Sequence, residues 1–281
     1  MTEPEKPRAY DPGVQGRRVD ERPFVAPCNT LAWNAPFRWL KLGWADYRAV
    51  PRISRDYGLF IFLVTAVMAF LGWRIGGWVL LLSLMTGFVF IAPLLAFALY
   101  SVSRQLYQGK RPSLTYTLRA SRRPFANAMV YGLVLLIVFM IWARAGAMVH
   151  VFFPVETDPD WTQVAGFLAI GSAVGALFAA FTFAASAFSL PMLANRDVDV
   201  VTAVVSSINA VLRNKPAMFT WAALIVLLTA LGMATALLGL IVVIPWLAYA
   251  TWHGYRETMD VSAWPVLPTR QRGEPGPSPT D

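Results

Sequence analysis

Residues 58–100 read GLFIFLVTAVMAFLGWRIGGWVLLLSLMTGFVFIAPLLAFALY, and the one formal charge among them is Arg74. A membrane-crossing helix needs about 20 apolar residues. The stretch is therefore too long for one crossing and suited to two, with GWRIGG at 72–77 as the break. Working outward, Ala217 to Trp252 is a second block of this kind, divisible near LGMAT at 231–235. A third apolar region splits at PVETDPDW, 154–161, into Phe125 to Phe152 and Trp161 to Leu190. The pattern predicts an all-α polytopic membrane protein of six transmembrane helices in three hairpins. The members of the last hairpin are the shortest, about 17 residues each against the roughly 20 a crossing needs.

Composition agrees. Of 281 residues 57% are hydrophobic and 14% charged, and the mean hydropathy is +0.51. A soluble domain carries about 25% charged residues, so this chain lacks the polar surface to face water all round. Cys28 is the only cysteine, which excludes an internal disulfide and any multi-cysteine metal or iron–sulfur centre. Residues 1–30 are rich in charge and proline without the apolar core of a signal peptide. They are expected to form a disordered cytoplasmic N-terminus, and residues 257–281 a cytoplasmic tail.

Charge sets the direction. Ten Lys or Arg precede residue 57, and six more (Arg104, Lys110, Arg111, Arg119, Arg122 and Arg123) lie in 101–123 with no acid. Arg196, Arg213, Lys215, Arg256, Arg270 and Arg272 follow in later connections, whereas the loop at 154–161 carries Glu156, Asp158 and Asp160. Basic loops resist translocation, so both termini are expected on the cytoplasmic side of an inner membrane. The net charge of +8 then reads as a topology signal with anionic lipid contact, and nucleic acid is not expected as a partner.

Each hairpin is preceded by a short amphipathic segment. Trp33, Phe37, Leu40, Trp44 and Tyr47 form one helical stripe ending at Pro51. Ser113, Leu114 and Leu118 make a shorter version before RASRRP. Val201, Val204, Val205, Ile208, Val211 and Leu212 form a third, with Asp199 as N-cap. Such helices are expected in the cytoplasmic headgroup plane, apolar face toward lipid. Each hairpin then closes with the frame P-x-L-A at Pro93, Pro191 and Pro245, and 87–104 aligns on 239–256 without a gap. A membrane domain at 31–256 with a threefold repeat (31–104, 112–196, 198–256) follows. Its prolines are expected to kink the second helix of each pair, for close packing or to open a path.

Few residues carry chemistry. Gly171 and Gly175 stand in a G-x-x-x-G frame, the usual mark of close helix approach. Arg144 is the one charge within the third helix, near the expected outer surface and the acids of 154–161. His150 ends the third helix on the expected outer side and His253 ends the sixth on the expected inner side, so the two cannot share one haem, leaving His253 as a single candidate haem ligand. No phosphate-binding loop, zinc motif or serine nucleophile motif is present. None of the six helices carries a carboxylate of the kind ion-coupled transport uses. An enzyme is not expected, nor is a cofactor or metal.

The segments PMLANRDVDVVTAVVSSINAVLRNKPAMFTWAALIV and PWLAYATWHGYRE resemble an uncharacterised bacterial family of predicted integral membrane proteins. The marks of the resemblance are Pro191, Arg196, Asp197, Asn214, Trp221, Pro245, Trp252, His253, Tyr255 and Arg256, within 50–260. Some members are labelled cytochrome c oxidase subunit I-like, but two histidines cannot supply the ligands of two haems and a copper. The resemblance implies an inner-membrane protein with no established activity. The expected role is an accessory, assembly or scaffold factor acting on lipids or on a membrane-protein partner, such as a respiratory complex subunit. The alternatives are a channel or carrier for a small neutral or lipidic solute, and a haem-binding membrane protein.

Overall fold

The computed structural model describes residues 23–112, 122–152 and 161–267. Among them are eight helices and no β-strand, only isolated bridges joining Cys28 to Met259 and Arg196 to Val266. We number the helices α1 (Ala35–Ala49), α2 (Pro51–Tyr107), α3 (Arg122–Phe152), α4 (Trp161–Ser186), α5 (Ser189–Asn195), α6 (Val200–Arg213), α7 (Lys215–Ala234) and α8 (Leu240–Thr258). Prolines set several boundaries. Pro51 cannot extend α1 but suits the first turn of α2, and Pro216 opens α7 in the same way. Asp199 caps α6 as expected, accepting the Thr202 N–H at 2.8 Å. Burial pushes its carboxyl up, but the hydrogen bonds from Thr202 prevail and hold it below the usual range. Four apolar segments are long enough to cross a membrane: Pro51–Ile75, Met129–Gly146, Leu168–Asn195 and Lys215–Ala234.

The block at 58–100 departs from expectation in one respect and agrees in another. No loop forms at 72–77, and α2 runs helical for 57 residues. Glycines within a helical run cost only about 1 kcal/mol each and do not by themselves end it. Yet α2 doubles back. Ser54 shares a 3.0 Å hydrogen bond with Tyr249, and Ser103 donates at 2.8 Å to Asp46, which lies 3.0 Å from His253. Tyr249 and His253 are one turn apart on α8, about 6 Å, whereas Ser54 and Ser103 on a straight helix would be about 73 Å apart. The reversal falls between Ile61, packed on Leu240, and Ala96, which shares a cavity with Ala248.

Helix α8 is the central post. Twelve of its residues are buried, among them Tyr249, Trp252 and Tyr255. The turn at 235–239 separates it from α7, beside the break expected near LGMAT. Helix α1 packs alongside α8 rather than lying only on lipid. Its buried face is Ala35, Pro36, Trp39, Leu40 and Gly43, a register that keeps Leu40 of the expected stripe but leaves Trp33 and Phe37 exposed. Close approach decides this register: a Cβ on Gly43 would lie 2.6 Å from the Ala250 nitrogen, and one on Gly254 2.9 Å from the Trp39 ring. Helix α6 keeps its large apolar residues Val201 and Leu212 outward and buries Thr202, Ala203, Ser206, Ser207 and Ala210. The second amphipathic segment, 113–121, lies outside the described residues.

Residues 23–30, expected to be disordered, are instead fastened across the ends of α6 and α8. The Ala26 N–H donates to Ser206, Asn29 N–H to the Thr258 carbonyl, and Asp260 N–H to the Pro27 carbonyl. Asn214 holds both sides of Asn29–Leu31, accepting from Leu31 N–H and donating to the Asn29 carbonyl. A proline-bearing segment without an apolar run is kept by borrowed polar partners, which its own composition does not reveal. Residues 1–22 and 268–281 lie outside the described residues.

Candidate functional site

The proline frames organise the interior. Pro191 has no N–H for the Ala187 carbonyl, and the helix breaks at Ala187–Phe188, between α4 and α5. Ser207 of α6 fills the gap, donating to the Ala184 carbonyl at 2.7 Å and accepting the Phe188 N–H at 3.0 Å. Pro245 likewise lacks a donor for the Ile241 carbonyl inside α8, and that oxygen faces Gly58. A Cβ there would sit 1.9 Å from it. Pro93 lies within helical backbone of α2.

Beside these breaks lies a cavity of about 430 Å³, walled by the returning arm of α2 and by α4, α7 and α8. The alanines of the first and third frames, Ala96 and Ala248, line it and make room by their size. The wall is mainly apolar, with hydroxyls from Tyr100, Thr182, Ser186, Thr229 and Thr251. Thr182 is 4% exposed, and its Oγ1 has no hydrogen-bond partner among the described residues. Most buried hydroxyls are paired, and a helical threonine ordinarily uses the carbonyl one turn back. Ser186, by contrast, is held by Tyr131 at 2.7 Å. A broader cleft of about 500 Å³ between Phe24, Asn127, Asp197, Asp199 and Trp264 is open to solvent.

The opposite face of α8 carries a polar network. Asp46 of α1 binds both His253 and Ser103, and Ser54 pairs with Tyr249 beside it. Ser103 donates to the carboxylate rather than to the imidazole. His253, the candidate haem ligand, has Nε2 engaged by Asp46. Beyond the frames, the arginines that follow the three of them tie the chain together. Arg104 reaches the Leu267 carbonyl, Arg196 donates to the Trp264 carbonyl at 2.7 Å, and Arg256 caps the Tyr107 ring while bonding its hydroxyl at 2.6 Å.

The other sequence-derived candidates stand apart. A side chain at Gly171 or Gly175 would meet nothing within 4 Å, so no neighbour among the described residues uses that face. Arg144 is exposed on α3, and Glu156, Asp158 and Asp160 lie outside the described residues. The sequence reading missed Thr182, Gly58, Asp46 and Ser103. Of these only Gly58 carried a signal, as the first residue of an apolar block facing the proline-bearing helix.

Before α7, the segments Pro51–Ile75, Met129–Gly146 and Leu168–Asn195 are apolar and of membrane length. Residues 80–195 match the family of predicted integral membrane proteins DUF2189. The matched span is shorter than the 50–260 of the resemblance; it holds the frames at Pro93 and Pro191 and the α2 and α4 walls of the cavity, but neither α7 nor α8 with Pro245. The DUF2189 description names no oxidase subunit. No curated protein and no solved structure is significantly similar to the chain.

Proposed function

We propose that this chain is a non-enzymatic, multi-pass protein of the bacterial inner membrane that holds an uncharged lipidic molecule in the α2–α4–α7–α8 cavity. The observation that carries the reading is the Thr182 hydroxyl, without a hydrogen-bond partner among the described residues, in a mainly apolar wall. Leaving such a group dry costs about 1–3 kcal/mol, which an occupant's oxygen would recover. The volume falls in the range of small-molecule sites. The absence of a charged group from the lining favours a neutral ligand over an ionic one.

In this reading the three repeat units each contribute an amphipathic helix and a hairpin, with both termini cytoplasmic. The proline kinks make the space, and the Arg104, Arg196 and Arg256 ends lie at the inner leaflet. A second reading, an accessory or scaffold factor for a membrane-protein complex such as a respiratory one, is supported by the open Gly171–Gly175 face of α4.

The test uses bromododecanol as a probe of the purified protein in nanodiscs, read as quenching of Trp221, which lines the cavity. Trp221→Phe isolates that signal. We expect Thr182→Val to weaken quenching about tenfold, the equivalent of one lost hydrogen bond. Ala179→Phe, at the cavity wall, should abolish it. Equal quenching in all three proteins would sink the reading.

A further inference from the structure

We propose that the α7–α8 hairpin is re-entrant: it rises from the cytoplasmic side and turns back near the bilayer midplane. Helix α7 has 20 residues and is apolar enough to cross, so length does not decide the matter. Register against its neighbours does.

Two independent rulers give the height of the turn. Met233, Leu237 and Leu240 gather around Ile61 of α2. From Ile61 that arm continues to Ile75, a further 14 residues or about 21 Å. On the other side, Met233 shares the cavity with Ala179 of α4. From Ala179 back to the start of α4 at Trp161 is 18 residues, about 27 Å. Both long helices therefore overshoot the turn by more than 20 Å, most of a hydrocarbon core of about 30 Å. Their far ends carry Trp73 with Arg74 and Trp161, the first tryptophan 54% and the second 84% exposed. Tryptophans are enriched at membrane surfaces, and the turn lies well short of both.

The turn itself suits lipid and not water. It reads Thr235-Ala236-Leu237-Leu238-Gly239, with Leu238 55% exposed. Thr235 Oγ1 donates to the Gly232 carbonyl and accepts the Gly239 N–H, both at 2.8 Å. The N–H groups of Leu237, Leu238 and Leu240 bond the carbonyls of Met233, Thr235 and Leu237. Irregular backbone at membrane depth is tolerated when its polar groups are satisfied in this way. The close turn requires φ of 51° at Ala236 and 70° at Leu237, left-handed values unusual for residues with side chains. A loop reaching water would need no such compression. One consequence rests on the cavity reading above: the cavity rim at Ala179 and Met233 opens at the midplane, so its occupant enters from the lipid phase.

The experiment places a bimane on Leu238→Cys in a Cys28→Ser background, in vesicles of phosphatidylcholine carrying a nitroxide either at the acyl-chain end or on the headgroup. Leu238 faces outward, so the substitution leaves packing intact. Ile75→Cys serves as the surface reference. We expect chain-end nitroxide to quench position 238 at least about threefold more strongly than headgroup nitroxide, with the order reversed at position 75. Stronger headgroup quenching at 238, at the level of position 75, overturns the proposal. The Thr182→Val result does not enter this measurement, so the two readings fail separately.

Discussion

Trp39→Ala should lower the stability of the protein by about 4 kcal/mol, in the range for emptying a buried tryptophan site. Trp39 is fully buried where three parts of the chain meet. Its ring stands edge-on to Trp221 of α7 at 5.6 Å and to Phe188 at 6.3 Å, and it rests on Gly254 of α8. Its Nε1 donates to Glu257 at 3.0 Å, and Arg38 pairs with the same carboxylate. Truncation therefore opens a cavity and removes a charge-assisted hydrogen bond together. For a chain of this size the thermal midpoint in mild detergent should fall by about 10 °C. A fall of less than about 2 °C would mean that α1 contributes little to the fold and that the described α1–α8 contact is not the joint inferred here. Trp39→Phe, which keeps most of the ring, should recover at least half of the loss.

Gly58→Ala is the second large effect, and its sign is informative. In an isolated helix the change is favourable by about 1 kcal/mol. Here the new methyl would lie 1.9 Å from the Ile241 oxygen and 2.7 Å from its carbonyl carbon, both backbone atoms. Backbone yields less readily than a side chain, so α2 and α8 must separate at Leu240–Ile244, and we expect a net loss of about 3 kcal/mol. Gly171→Ala is the internal control, because its Cβ meets open space; it should be neutral or slightly stabilising. Denaturation of both variants in the same detergent checks the contrast. Equal stability of the two would show that α2 does not press on the carbonyl freed by Pro245.

These contacts show how far sequence reading reached. Hydrophobic length located the apolar blocks, the Asp199 cap and the division of Ala217–Trp252, because each is a local property of composition or spacing. The proline frames were also legible, since a missing N–H acts within one turn. What closed the breaks was not. Ser207, Gly58 and the Asp46–His253–Ser103 network act across separations of tens to hundreds of residues, and a serine or glycine in an apolar helix looks alike whether or not a carbonyl faces it. The face of α1 was misread for a related reason: Trp39 lies beside the regular stripe, and the choice between faces is made by Gly43 and Gly254, which permit contact only when paired. The first block was read as two helices with a break at 72–77, whereas those residues are helical and the contacts of its two ends bracket the reversal only between Ile61 and Ala96.

The reversal of α2 underlies everything proposed above, because it brings Ala96 and Tyr100 to the cavity and Ser103 to Asp46. Spin labels at Arg55→Cys and Gln108→Cys, both exposed positions flanking the two arms, test it directly by pulsed electron–electron distance measurement in Cys28→Ser protein reconstituted in lipid. We predict a narrow distribution centred below about 30 Å, since both arms lie against the same helix at interaxial distances of about 10 Å. A distance near 80 Å, the length of 53 residues in one straight helix, would contradict it.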